Sequence, residues 1–598
     1  MPIFAPTSLR NERSDVHFDT VHVASGTNTH NHNTSPHYLD APLNQATQPL
    51  LNASTGIETT EPRPSVSAEG VLQCANPQVL ESPSSFQANS TLSAKSSGSQ
   101  QLSVQASCFG DTGYMQILSR DNVLDEDKIL THQANLETIS SALQEGFLES
   151  YFEYCFVWCP VLDRDFLQNP SSGLDESPLL QQALALCGNR INPPLIQYRD
   201  SAVYYNRAKE LFYSNYESNA LVRLASIMLF FWWSAGAPNL LNMDNAWWWT
   251  GIAIRIAQEC GLHREPQPHQ LAQDGKTAGL RRRIWWTLFA RDRILSISQG
   301  RPTIIDPDYC DARMVTAEDF PDPSDPKVEI FINWVKLLDI SGRISKHLSK
   351  RVEDRTDTAN FSHDLTSWVQ SLPEALSLPI RTARTMAFNR DVHRLFLTYL
   401  TNITLLHLSK SSQLLPKASK AAIVAASCVA RLFEDFLTRG NIRFLSGDAG
   451  WEIAVAILAL LHARRIEDLR PYADADIQTL RTALRQMTLL WPSSRMFYAA
   501  FDKLLGIDQT SVNRHNPIVR AEGDQVEDAE ILDPIGGDAD WMDSFPFVTE
   551  QTSPLINAVL VRSPAMAFSG LHWPLDFNAG LQEFLSQPDD YSFDMFNL

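Results

Sequence analysis

The chain has 598 residues, 44% of them hydrophobic and 20% charged, enough for one large domain with tails or for several domains. Its net charge of -20 is uneven: residues 1–125 hold 5 basic and 11 acidic side chains, residues 521–598 hold 1 and 15, and residues 126–520 hold 43 of each sign. Acidic tails cannot supply the positive charge that phosphate contact needs, and the longest apolar runs, 227–233 and 454–461, are too short to span a bilayer, so no membrane partner is expected.

Residues 1–125 are rich in Ser, Thr, Asn, Gln and Pro and poor in large apolar side chains. Such a segment buries too little surface to offset its ordering entropy and is expected to be disordered. From 126 to 508 the pattern reads as helix after helix with almost no strand alternation, so the expected fold class is all-α, a large multi-helix domain between two disordered tails. An opening helix carries Cys155 and Cys159 four apart, which suits core packing better than a metal because no further ligand completes a site. Two helices over 204–216 and 220–233 read as an antiparallel pair.

The next stretch is the densest in signals. Asn245 or Asp244 caps a helix whose inner face holds Ala246, Trp249, Ala253, Ile256, Ala257 and Cys260, widened by Trp248 and Ile252, with Arg255 on the polar side. Gly261 stands where a left-handed cap belongs, and His263 follows at the helix end, where it can meet free carbonyls. A second helix turns Ile284, Trp285, Leu288, Phe289 and Leu295 inward and stops before Gly300-Arg301-Pro302. Asp292 falls within that apolar stripe, so it needs a strong partner. The reading adopted is an ion pair holding helix to loop; a ligand-binding or catalytic carboxylate is the alternative.

Further helices are expected over 328–350, 384–409, 417–438, 451–465, 473–490 and 495–505. Residues 509–598 then mix acids with isolated aromatics: Trp541, Phe545 and Phe547, then Trp573, Phe577 and Phe584, then Phe593 and Phe596. Acidic-hydrophobic alternation is the composition of activation segments, in which charge keeps aromatic anchors open to a partner's groove. The alternative is a tail folded back on its own helical domain.

The run A-x-R-x-A-x-x-x-G-L-H-R, then R-R-x-x-W-W-x-x-x-x-x-D-R, then G-R-P, resembles the middle regulatory domain of fungal zinc-cluster transcription factors. Here it is carried by Arg255, His263, Arg282, Arg283, Trp285, Trp286, Asp292, Arg293, Gly300, Arg301 and Pro302. The likeness covers residues 135 to 400 and, more weakly, extends to 508. It implies a nuclear regulator, an activator of metabolic genes such as those of one pathway or secondary-metabolite cluster. Its implied partners are the transcription coactivator machinery, a DNA-binding partner or a homodimer, and a small-molecule effector. Members of that family begin with six cysteines spaced C-x2-C-x6-C, twice, around two zinc ions. This sequence offers only Cys74 and Cys108 before residue 150, so no cofactor is expected, zinc entering only if a cluster is missing from this gene model. DNA contact is then indirect. The rival class is a helical small-molecule binder or enzyme on the same fold. Gly275-Lys276-Thr277 lacks the earlier glycine of a phosphate loop, and no dinucleotide turn or nucleophile elbow is present, so no catalytic residue is assigned.

Overall fold

The computed structural model describes residues 139–167, 174–234, 236–238, 242–266, 275–349, 355–409, 415–513 and 541–561. The fold is all-α: among these residues the only strands are the two-residue pair Leu408–Ser409 and Lys417–Ala418. The disorder expected for residues 1–125 and the anchors Trp573, Phe577, Phe584, Phe593 and Phe596 lie outside the described residues.

Capping side chains set most helix starts. After α1 (Ser141–Ser150), α2 (Pro178–Ile191) begins at Ser177, whose hydroxyl accepts from the Leu180 amide, with Pro178 in the first turn where its missing N–H costs nothing. Asp200, Asn219 and Asn245 cap α3 (Ser201–Tyr213), α4 (Ala220–Met228) and α5 (Ala246–Glu259). The long helices α6 (Gly275–Gln299) and α7 (Pro326–Leu348) lie along each other. Then come α8 (Arg355–Gln370), α9 (Arg390–Leu406), α10 (Lys420–Thr438), α11 (Ala449–Ala463), α12 (Arg470–Met487) and α13 (Pro492–Asn513). A last helix, α14 (Pro554–Val561), follows a one-turn 3-10 helix at Trp541–Ser544. One hydrophobic core runs from Phe147 to Val559. At its centre α9 is buried from Asp391 to Leu406 and packs on α7, α8, α10 and α11.

Four expectations are corrected. The opening helix does not stay regular: Tyr151–Cys155 is a π-helical turn and Phe156–Trp158 a 3-10 turn. The Tyr151 hydroxyl donates to the Cys159 carbonyl at 2.6 Å and ties the chain back on itself. Cys155 and Cys159 therefore share no helix face, and the Cys155 sulfur meets Cys187 of α2 at 3.2 Å instead. Next, α3 and α4 are not a pair; both pack on α2, which is buried nearly all round. On α5 the buried stripe is Trp249, Thr250, Ala253, Ile254 and Ala257, so Ile254 replaces Ile256 and Cys260, which are half-buried. Finally, α8 was not expected at all.

Candidate functional site: the motif helices and a returning segment

The motif arginines on α6 are clamps between distant pieces of chain. Arg283, 1% exposed, donates to the Pro160 carbonyl and to Asp163, each at 2.9 Å, and so pins α6 to the segment after the opening helix. Arg282 donates from Nε to both Glu265 oxygens at 3.1 Å and from Nη1 to Asp319 at 2.8 Å. Glu265 also accepts from the Arg313 amide at 3.0 Å, and the Arg313 guanidinium reaches Asp319 at 2.9 Å. Burial alone would raise the Glu265 carboxyl, but the bonds from Arg282 and the Arg313 amide hold it below the usual range. Two arginines and two acids thus close the α5–α6 loop onto residues 311–319.

Asp292 does the same for the next turn of chain. Its carboxylate accepts from the Ile304 amide at 3.0 Å, the Ile305 amide at 2.9 Å and Arg293 Nη1 at 2.6 Å. Arg293 completes the loop by donating to the Ile305 carbonyl at 3.0 Å. Burial pushes the Asp292 carboxyl up, and the two amides and Arg293 pull it back. All three partners are structural, and they tie helix α6 to the 300–305 loop.

The other motif residues hold the same frame. Gly261 and Gly300 have φ of 68° and 64°, the left-handed region that a side chain disfavours. Each makes a Schellman end: Leu262 donates to Ala257 at 2.8 Å, and Arg301 to Ser296 at 3.2 Å. Helix α6 thus ends on Gly300 itself, one step before the influence of Pro302, which is exposed. Arg301 donates to the Pro238 carbonyl at 3.0 Å and stacks over Trp247 at 4.6 Å. The His263 carbonyl accepts from the Asp311 and Ala312 amides, while its ring lies 5.9 Å from buried Trp285. Trp286 donates from its indole to the Arg313 carbonyl at 2.8 Å, and Arg255 stands exposed on the outer face of α5.

This geometry is a brace rather than a reaction centre. The motif carboxylates and clamp arginines are matched to one another or to backbone groups. Among the described residues no group of three or more His, Cys, Asp or Glu side chains could hold a metal ion. No described helix is long and apolar enough to cross a membrane.

Sequence reasoning placed Trp541, Phe545 and Phe547 on an open activation segment. For these residues that reading is corrected: Phe545 and Phe547 are buried and Trp541 is half-buried, because residues 541–561 return to the helical domain. Phe547 packs edge-on to Phe396 of α9 at 5.1 Å. The Tyr399 hydroxyl donates to the Ser544 carbonyl at 2.8 Å, and Arg381 donates to the Pro546 carbonyl at 2.8 Å. Leu555, Ile556 and Val559 bury the inner side of α14 against α10 and α12. The signal was present: 551–561 carries no charge, and Pro554 opens an apolar run.

The start of α14 sits on a titrating group. Ser553 shares a hydrogen bond with Ser427 at 2.8 Å, and Ser427 donates to Asp476 at 2.6 Å. Burial pushes the Asp476 carboxyl up to about 7, against the pull of Ser427. Between its ordinary value of about 4 and that point, the folded chain holds a proton that the unfolded chain has lost, so stability falls as pH rises through this window. Asp476→Asn keeps the neutral form at every pH. Its melting temperature should fall less than the parent's between pH 5 and pH 8, and should exceed the parent's at pH 8.

Residues 148–403 match the family model described as the fungal specific transcription factor domain. That segment of the chain carries the likeness of this domain. It is 26% identical over 400 residues to cutinase transcription factor 1 alpha of Fusarium vanettenii, covering 61% of this chain and 43% of that protein. It is 27% identical over 326 residues to the acetamidase regulatory protein of Aspergillus oryzae, covering 51% and 40%. A third relative, transcription factor cpaR of Aspergillus oryzae, is 25% identical over 334 residues, covering 46% and 54%. The chain thus spans about half the length, or less, of these relatives. No solved structure matches.

Proposed function

We propose that the chain is a nuclear transcription regulator, an activator of metabolic genes. The observation that carries this is the match over 148–403, a segment whose clamps form one braced helical domain, joined in the same chain to a tail of 15 acids and interspersed aromatics. The names of the relatives are those of regulators, and they lend nothing to the enzyme alternative. In this reading the coactivator machinery contacts the tail. DNA contact belongs to a DNA-binding partner, to a homodimer, or to a zinc cluster outside these residues, and zinc belongs to that module alone.

The packing of 541–561 moves the expected anchors to Trp573, Phe577, Phe584, Phe593 and Phe596. Fused to a heterologous DNA-binding domain, residues 562–598 should activate a reporter nearly as well as 521–598. Burying one large apolar side chain is worth about 1.5–3 kcal/mol, so a few anchors suffice for weak, reversible contact. Replacing Trp573, Phe577 and Phe584 with alanine should therefore cost more activity than neutralising Glu522, Asp524 and Glu527. A silent fusion, beside an active full chain, would remove the tail from the mechanism.

A further inference from the structure

The returning segment does not close flat on the helices. Between its 3-10 turn at Trp541–Ser544, helix α8, the end of α9 and the start of α10 lies a cavity of about 420 Å³. That falls within the roughly 300–1,000 Å³ typical of small-molecule sites. Leu365, Ile403, Leu406 and Phe545 are buried and give it an apolar floor. Trp541, half-buried and edge-on to Phe545 at 5.8 Å, supplies a flat wall.

Most of the polar groups around it are already bonded. The Thr366 and Ser544 hydroxyls share a hydrogen bond at 2.6 Å, and the Ser362 hydroxyl donates to the Thr358 carbonyl at 3.1 Å. His407, which caps the end of α9, is different. It is 8% exposed, and its main chain is held by Ile403, Thr404 and Ser419. Its ring Nδ1 is sealed in without a hydrogen-bond partner among the described residues, which leaves Nε2 as the nitrogen that an occupant of the cavity can reach. An imidazole taken out of water without hydrogen bonds is costly, and an occupant that bonds to it recovers part of that cost. Charge narrows the class of occupant. Burial pushes the His407 ring down to about 4, so it is neutral near pH 7 and offers an anion no counter-charge. Asp543 and His363 line the cavity too, but both are exposed at its mouth, where water screens the carboxylate and weakens its hold on a cation. A hydroxyl both donates and accepts, so it suits either tautomer of a neutral imidazole.

We propose that this cavity binds a neutral, mostly apolar small molecule of the phenol class, its hydroxyl on His407 Nε2 and its ring between the apolar floor and Trp541. An occupant touches α8, α9 and the returning segment at once, so by mass action it holds residues 541–545 against the helical domain. The consequence, a ligand signal passed to the acidic tail that follows in sequence, rests on the regulatory reading above; the binding does not.

The test uses the full chain with 4-ethylphenol as probe and 4-ethyltoluene as the same shape without the hydroxyl. Calorimetry should show saturable binding of one 4-ethylphenol per chain, and amide exchange over residues 541–545 should slow in its presence. 4-Ethyltoluene should bind several-fold more weakly, the size of one hydrogen bond between neutral groups. His407→Leu removes the ring nitrogens from the cavity wall and should bind the two compounds alike. Ala359→Trp, at an exposed position on the mouth, should weaken both about tenfold or more in a folded chain, and it decides the matter if His407→Leu fails to fold. Uptake of 4-ethylphenol without saturation would overturn the proposal. So would a folded His407→Leu chain that still prefers the phenol, or, where that chain does not fold, an Ala359→Trp chain that binds like the parent. 4-Ethylbenzoate or 4-ethylbenzylamine binding as tightly as 4-ethylphenol would overturn the neutral ligand class. Phenol binding beside a silent tail fusion would sink the activation reading and leave this one standing; an active fusion without phenol binding would do the reverse.

Discussion

Replacing Asp292 with alanine is expected to cost the full chain roughly 3–5 kcal/mol of stability, read as a large fall in melting temperature. The change removes the acceptor for two loop amides and leaves Arg293 buried without its carboxylate. Asp292→Asn keeps one oxygen as acceptor and should cost less. The pair Asp292→Leu with Arg293→Met should be milder than the sum of the single changes, because it strands neither charge. A double-mutant cycle gives that coupling directly. An Asp292→Ala chain that melts with the parent yet fails to regulate would return the carboxylate to a ligand role.

Phe545→Ala with Phe547→Ala should destabilise the helical domain itself, although both residues lie far along the chain from it. Truncating a buried phenylalanine costs about 3–5 kcal/mol; the Phe547 ring seals Phe396 and Tyr399 of α9, and buried Phe545 packs edge-on to Phe547 at 6.3 Å. The melt of the full chain should shift by many degrees, and amide exchange in α8 and α9 should quicken along with that of α14. If the melt stays put while residues 541–561 become open to protease, the segment is an ornament of the fold rather than part of its core.

Local chemistry was legible in the sequence. Asn245 and Gly261 bound one motif helix, Gly300 ends the other, and a lone acid in an apolar stripe announced that Asp292 ties helix to loop. What could not be read was distance. Nothing near Arg283 says that its partners lie at Pro160 and Asp163, more than a hundred residues earlier, since any acid or carbonyl would satisfy a guanidinium. Helix α8 was hidden because it opens on the weak helix formers Thr356, Asp357, Thr358 and Asn360, and its apolar set, Phe361, Leu365, Trp368 and Val369, begins only after them. The returning segment was masked by averaging. Fifteen acids dominate the composition of 521–598, while the uncharged stretch that packs is only a few turns long.

The separation between Tyr399 and Ser544 also sets a timetable for birth of the protein. The hydroxyl of Tyr399 waits for a carbonyl that lies 145 residues downstream. A ribosome adding roughly 5–20 residues each second needs roughly 7–30 s to make up that interval. Throughout it, Phe396 and Tyr399 have Trp368 of α8 beside them but lack the ring of Phe547, and the newborn helices present an aromatic face. A transcript cut short anywhere between α13 and Trp541 would leave that face bare for good, marking the product for chaperones and proteases.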